Sequence, residues 1–225
     1  MEKASTIDAM STSSLSERPS FKAQMHQARE DAIVQAACRL LGEKGFETMT
    51  VDEVAASAGI AKASLYKHFS GKDDLCTAAI VHGVQRLLQQ VQDMPEDMPA
   101  LERLQALLRW LLEQQLCEEP PLLPPRHSPL AQAVRSCPSY LIAMGQVQAC
   151  TLQWIAQAQA LGQLRSELPA DVVMCALLAR ASGPMLEMLR ERGGYSDAQV
   201  VDWAMDACLN GLLNCTQANC TRVTQ

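Results

Sequence analysis

The sequence lacks the short motifs that mark the common enzyme classes. It contains no GxSxG, HExxH, P-loop or dinucleotide-binding pattern. Its four histidines are scattered, and Cys117, His127 and Cys137 are too widely spaced to indicate zinc ligands. We therefore expect no catalytic residue, no metal site and no cofactor. The sequence disfavours an enzyme.

Long apolar runs are also missing. Residues 1–20 are polar and rich in Ser and Thr, without the apolar segment of a signal peptide. The longest uncharged stretch, residues 136–164, holds six Gln and Pro138, which a membrane-spanning helix would rarely tolerate. These features predict a cytoplasmic protein that has no membrane partner.

The nine cysteines form no CxxC pair, and their odd number leaves at least one unpaired. Reduced thiols are therefore expected. We expect four of them to pack as small hydrophobic residues within helices: Cys38, Cys150, Cys175 and Cys208. Cys76 offers an alternative role, because a thiol with a lowered pKa could sense oxidation, and Lys72 lies one turn away.

The composition favours helix over sheet. Hydrophobic residues make up 48% of the 225 residues, whereas aromatic residues make up only 4%. Leu, Ala and Gln dominate the second half and are good helix formers. The length suits one small domain and a larger one, and we predict an all-α fold.

Residues 50–72 carry a helix-turn-helix pattern. Thr50 and Glu53 have the spacing of a capping box, and Gly59 stands where a tight turn needs a positive φ. Apolar residues line one side of the two short helices: Val54, Ala55, Ala58, Ile60, Leu65 and Phe69. Polar residues are left to point outward from the second helix: Lys62, Ser64, Tyr66, Lys67 and His68.

The charge of this segment suits nucleic acid although the whole chain is acidic. Residues 54–72 contain three Lys and no acid, a charge of +3, and the chain totals −6, so the remainder carries −9. A helix face made of cations and hydrogen-bond donors fits the major groove of double-stranded DNA.

This segment resembles the TetR family of transcriptional regulators over about fifty residues, roughly 29–76. The resemblance rests on AACRLLGEKGFETMTVDEVA and AGIAKASLYKHFSGKDDL. Ala61 departs from the pattern, because many members have Ser or Thr there and Ala cannot cap the helix.

The resemblance implies an N-terminal helix-turn-helix domain and a C-terminal helical bundle that binds a small-molecule effector and forms a homodimer. We expect a flexible tail over residues 1–26, the DNA-binding domain over 27–73, and the ligand-binding and dimerisation domain over 74–225. Eight residues are predicted to contact DNA: Thr50, Lys62, Ala63, Ser64, Tyr66, Lys67, His68 and Lys72. Among them, the lysines at 62 and 72 with Tyr66 and His68 suit phosphates, and Ala63, Ser64 and Lys67 suit base edges.

The remaining patterns predict where each helix begins and ends. The first helix should end at Lys44, with Gly45 as its left-handed stop and Phe46 folded back on Leu41. Ser70 and Asp73 indicate a capped start for the next long helix. The helices after the helix-turn-helix are expected over residues 72–92, 100–117, 129–136, 138–161, 169–192 and 196–216.

The later helices suggest an effector pocket and a dimer interface. Candidate pocket residues are Trp110, Gln114, Tyr140, Met144, Gln148, Trp154, Met174 and Arg180, although core packing explains most of them equally well. Arg180 could instead pair across a dimer or extend to water. Small and apolar residues on the last two helices predict a four-helix dimer interface, with filling of the monomer core as the alternative. The expected protein is a dimeric repressor that a ligand releases from a near-palindromic operator.

Overall fold

The computed structural model describes residues 20–117, 120, 122–123, 128–180 and 185–210. Within these residues the chain forms ten α-helices and no strand, which confirms the all-α class. The helices are α1 (Phe21–Thr48), α2 (Val51–Ser57), α3 (Lys62–Leu65), α4 (Lys72–Gln92), α5 (Ala100–Leu116), α6 (Pro129–Arg135), α7 (Pro138–Ala160), α8 (Ala170–Arg180), α9 (Met185–Arg192) and α10 (Asp197–Leu209). None of them is long and apolar enough to cross a bilayer.

Helix α1 begins earlier than the sequence suggested. The Ser20 side chain accepts a hydrogen bond from the Ala23 N–H at 3.3 Å and caps the helix, so residues 21–26 are helical rather than part of a flexible tail. Gly45 interrupts the helix with a φ of 73°, as predicted for a left-handed stop. A short turn follows to Thr48, and Phe46 packs against the buried cluster that contains Leu41.

Two hydrophobic clusters share helix α4. The first, which we call the head cluster, joins α1, α2 and α3 to α4 and to parts of α6 and α7. The second, the body cluster, joins α5, the C-terminal part of α7 and helices α8 to α10. Leu75 and Ile80 of α4 belong to the head cluster, whereas Leu87 and Val91 belong to the body cluster. The predicted bounds of α4 are confirmed, and this one helix connects both cores.

The predicted cap of α4 is wrong in detail. Gly71 is the N-cap residue and makes no side-chain cap bond. Asp74, rather than Asp73, accepts hydrogen bonds from the Ser70 N–H at 2.8 Å and from the Ser70 hydroxyl at 3.1 Å. Gly71 stands between Ser70 and the first helical residue. The carboxylate that pairs with Ser70 therefore belongs to Asp74, one position later than predicted.

The C-terminal helices lie within the two predicted ranges. Helices α8 and α9 both fall in the expected helix over 169–192, and residues 181–184 between them lie outside the described residues. Ser196 and Gln199 form a capping box that starts α10, and the predicted extension to residue 216 also lies beyond the description.

Two predicted core positions are exposed. The apolar spacing along residues 138–161 predicts one buried stripe that contains Leu141, Met144, Trp154 and Ile155. Leu141 is 52% exposed, whereas the other three residues are buried. Cys175 is also exposed, although Cys38 and Cys208 are buried. Helical spacing alone does not locate the edge of a buried stripe, because that edge depends on which helices pack alongside.

Candidate DNA-binding surface

The turn between α2 and α3 is built by the residues that predicted it. The Thr50 hydroxyl accepts the Glu53 N–H at 3.3 Å, and the Glu53 carboxylate accepts the Thr50 N–H at 3.0 Å, so the capping box is confirmed. Lys44 donates to the same carboxylate at 2.6 Å. These hydrogen bonds, first from Lys44 and then from Thr50, lower the Glu53 pKa to about 2. Gly59 turns the chain with a φ of 67°.

Helix α3 is short and depends on its neighbours. It contains four helical residues, and its N-cap Ala61 makes no side-chain bond, as predicted. Hydrogen bonds from His68 N–H and Phe69 N–H to the Leu65 carbonyl, at 2.9 and 3.0 Å, continue the segment as turns. Isolated helices of this length are unstable. The buried side chains of Leu65 and Phe69 therefore hold the segment on the head cluster.

The side of α3 that faces away from the core carries the predicted base-contact residues. Ala63 and Lys67 are exposed, Ser64 is half-buried, and the Tyr66 side chain is 48% exposed. The alternative role for Tyr66, a ring packed over the core of the head, is disfavoured by this exposure. These four residues form one accessible surface around the second helix of the helix-turn-helix.

Two of the predicted phosphate-contact lysines already have partners. Lys62 lies 2.9 Å from Asp52 at the start of α2, and this hydrogen bond and ion pair raise the Lys62 pKa. Lys72 donates to the Glu47 carbonyl at 3.2 Å and lies 4.6 Å from the centre of the Phe46 ring. Both lysines would have to exchange these contacts for phosphate oxygens in order to bind DNA.

His68 does not point outward as predicted. Its side chain is only 5% exposed, and its ring lies 4.3 Å from the ring of His26 on α1. The His68 Nδ1 atom lies 3.9 Å from the Glu30 carboxylate. The N-terminal turns of α1, which were predicted to be part of a flexible tail, cover this side chain.

The structure disfavours Cys76 as a redox sensor. Its side chain is fully buried in the head cluster, and this burial raises the thiol pKa to about 12. Lys72 opposes the rise but does not cancel it. A thiol in this state is protonated and shielded from oxidants.

Most of the predicted effector residues are divided between the two hydrophobic clusters. Tyr140 and Met144 belong to the head cluster, whereas Trp154 belongs to the body cluster, with Trp110 and Met174 packed at its side. The Tyr140 hydroxyl donates to the Leu122 carbonyl at 3.1 Å, and burial raises its pKa.

The other three effector candidates lie in three different surroundings. Gln148 is exposed on α7. Gln114 accepts a hydrogen bond from Arg86 at 2.8 Å. Arg180 interacts with the Cys208 thiol, whose pKa is raised chiefly by burial.

A cavity of about 390 Å³ lies between α1, α4 and the end of α5. None of the eight predicted effector residues lines it, although Gln114 bonds to one of its walls through Arg86. Its lining residues are Gln35, Cys38, Arg39, Glu43, His82, Arg86 and Cys117. Sequence periodicity could not identify this cavity, because its walls come from three separate segments.

The described helices place a capped helix-turn-helix on an all-helical body. Residues 33–79 match the family model described as bacterial regulatory proteins, tetR family. Over 46 residues the chain is 44% identical to the biofilm operon icaADBC HTH-type negative transcriptional regulator IcaR of Staphylococcus aureus (strain Newman), a match that covers 20% of this chain and 25% of IcaR. The chain spans only part of the length of these curated regulators, with 24% of YerO from Bacillus subtilis and 44% of BetI from Rhizobium meliloti covered.

Solved structures extend the likeness to most of the chain. The fatty acid degradation regulator FadR from Bacillus halodurans superposes with a TM-score of 0.62 at 18% identity, covering 81% of this chain and 95% of FadR. FadR from Bacillus subtilis, solved in complex with stearoyl-CoA, gives a TM-score of 0.60 at 15% identity, covering 80% and 98%. At these identities the likeness shows the fold. Together the matches confirm the predicted resemblance to TetR family transcriptional regulators.

Proposed function

We propose that this protein is a dimeric, sequence-specific DNA-binding repressor whose small-molecule effector releases it from a near-palindromic operator. The observation that carries the proposal is the exposed surface of α3 and of the turn that follows it, where Ala63, Tyr66 and Lys67 are accessible beside a capped α2. A short helix held in this way can enter a major groove.

Selection of bound DNA from a random pool at a stated salt concentration tests the proposal. Lys67→Ala should relax the preference at one base position, because this lysine is proposed to contact a base edge. Lys62→Ala should weaken binding to all sequences and reduce the salt dependence, because this lysine is proposed to contact a phosphate. Arg192→Ala, which removes the same charge from α9, is the control and should change neither property. If the wild-type protein enriches no sequence from the random pool, sequence-specific binding is refuted.

Dimerisation is supported by apolar residues left uncovered on the C-terminal helices. Val172, Cys175, Ala176 and Ala179 are exposed at the spacing of one face of α8. Trp203 of α10 is 49% exposed and contacts Tyr195 edge to face, with 5.1 Å between ring centres. Apolar faces of this kind are typical of surfaces that a partner covers.

Light scattering coupled to size exclusion tests this interface. Val172→Glu should convert the dimer to a monomer and abolish binding to a two-half-site operator, whose half-sites we expect to lie ~34 Å apart or a multiple of this. Ile142→Glu, at a residue of α7 that is 64% exposed, should leave the dimer intact. If the Val172→Glu protein remains dimeric, this face of α8 is not the dimer interface.

Two similar proteins support repression and effector release. IcaR is named as a negative regulator, and occupancy of a promoter alone is enough to repress it. FadR from Bacillus subtilis was solved with stearoyl-CoA, so stearoyl-CoA is a suitable first probe. If a compound releases the DNA, the DNA must weaken its binding by the same factor, because the two affinities are linked. Fluorescence anisotropy of labelled operator, with and without the compound, measures one side of this linkage and calorimetry measures the other.

A further inference from the structure

Three possible metal ligands meet beside the helix-turn-helix. His26 and Glu30 are four residues apart on α1 and therefore lie on the same face of this helix. His68, in the turn that follows α3, completes the group. The Glu30 Oε2 atom lies 3.7 Å from His26 Nδ1 and 3.9 Å from His68 Nδ1, and the possible ligand atoms of all three residues lie within 4.8 Å of one another.

The environment of His68 requires an explanation. Its side chain is 5% exposed, and its Nδ1 atom is buried without a hydrogen-bond partner in the part of the chain that the structure describes. The distance of 3.9 Å to Glu30 is too long for a hydrogen bond. Buried polar atoms are nearly always satisfied, and an unsatisfied one points to a missing partner such as an ion.

We propose that His26, Glu30 and His68 bind a divalent transition metal ion of the zinc class, with a fourth position open to water. Tetrahedral bonds of ~2.0–2.1 Å place neighbouring ligand atoms ~3.4 Å apart. The observed 3.7 and 3.9 Å exceed this by a few tenths of an ångström. Small side-chain rotations would close this gap, because the His26 side chain is 60% exposed and that of Glu30 is 38% exposed.

The ligand set selects the class of metal. Two imidazoles and one carboxylate suit zinc and its transition-metal neighbours, whereas calcium and magnesium prefer sites made of oxygen atoms. The bound ion would tie the N-terminal part of α1 to the turn after α3. This site does not depend on DNA binding, so a failure of either proposal leaves the other standing.

Cobalt titration of the full chain with reduced thiols tests the site. Co²⁺ should give the visible absorption of a tetrahedral complex at one ion per chain, and Zn²⁺ should displace it. His26→Ala and Glu30→Gln should each weaken binding at least tenfold, because even indirect supports of a metal site contribute ~10–100-fold. As a control, His82→Ala removes a histidine of α4 that lies outside the proposed site and should leave the affinity for Co²⁺ unchanged.

The nine cysteines provide the competing explanation. Binding by thiolates would give Co²⁺ an intense charge-transfer band in the near ultraviolet, which two imidazoles and a carboxylate do not produce. This band at the first equivalent, or unchanged affinity in both His26→Ala and Glu30→Gln, would overturn the proposal. A zinc-induced rise in Tm that is present in the wild type and in His82→Ala but absent in His26→Ala would support it, since an ion that binds only the folded state stabilises that state.

Discussion

Truncation of Leu65 should uncouple helix α3 from the rest of the head. Leu65 is fully buried and is the one helical residue of α3 that enters the core. Leu65→Ala removes three carbon atoms, and at ~0.8 kcal/mol each the lost burial amounts to ~2.4 kcal/mol. The cavity left behind adds to this value, so we expect a loss of ~3–5 kcal/mol in the free energy of unfolding.

Urea unfolding and thermal scans at one fixed protein concentration measure the effect. For a chain of this size each kcal/mol lowers the Tm by ~2–4 °C, so the Tm should fall by roughly 10 °C. Leu65→Met conserves most of the volume and should cost less than ~1.5 kcal/mol. Leu161→Ala, at a leucine that is 70% exposed, should change stability by less than ~0.5 kcal/mol. If Leu65→Ala unfolds as the wild type does, the packing argument for α3 is refuted.

Three other predictions follow from the ionisable groups of the head. Asp52→Asn should raise DNA affinity severalfold at low salt, because it frees Lys62 for phosphate; binding assays should show no such gain in a Lys62→Ala background. Glu53 has a folded pKa of about 2, below the usual 4.5, so the stability that it contributes is complete above the unfolded value and is lost as the pH falls from about 4.5 towards 2. The stability difference between wild type and Glu53→Gln should therefore shrink between pH 6 and pH 3, and an unchanged difference would contradict the hydrogen bond to Lys44. Peroxide should not change the DNA affinity of the wild type relative to that of Cys76→Ser, because burial keeps the Cys76 thiol protonated.

The features that the sequence predicted well are local. A capping box needs only Thr50 and Glu53 in the right spacing, and a left-handed turn needs only Gly59, so neither depends on distant residues. The bounds of α4 were also predictable, because apolar residues repeat along the whole helix.

The features that the sequence missed depend on contacts between distant segments. His68 is covered by α1, forty-two positions earlier at His26, and no pattern around residue 68 indicates this. The four-residue spacing of His26 and Glu30 is visible in the sequence, but it becomes informative only when His68 is placed beside it. The large cavity was missed for the same reason, because α1, α4 and the end of α5 contribute its walls.

The sharing of α4 between two hydrophobic clusters has a mechanical consequence. Leu75 is fixed in one core and Val91 in the other, and the twenty-one residues of the helix span ~31 Å at 1.5 Å per residue. A rotation of ~5° about one end would displace the opposite end by ~3 Å, close to the ~3.4 Å rise of one base pair. A rearrangement too small to break either core could therefore shift a docked helix by almost one step along a duplex.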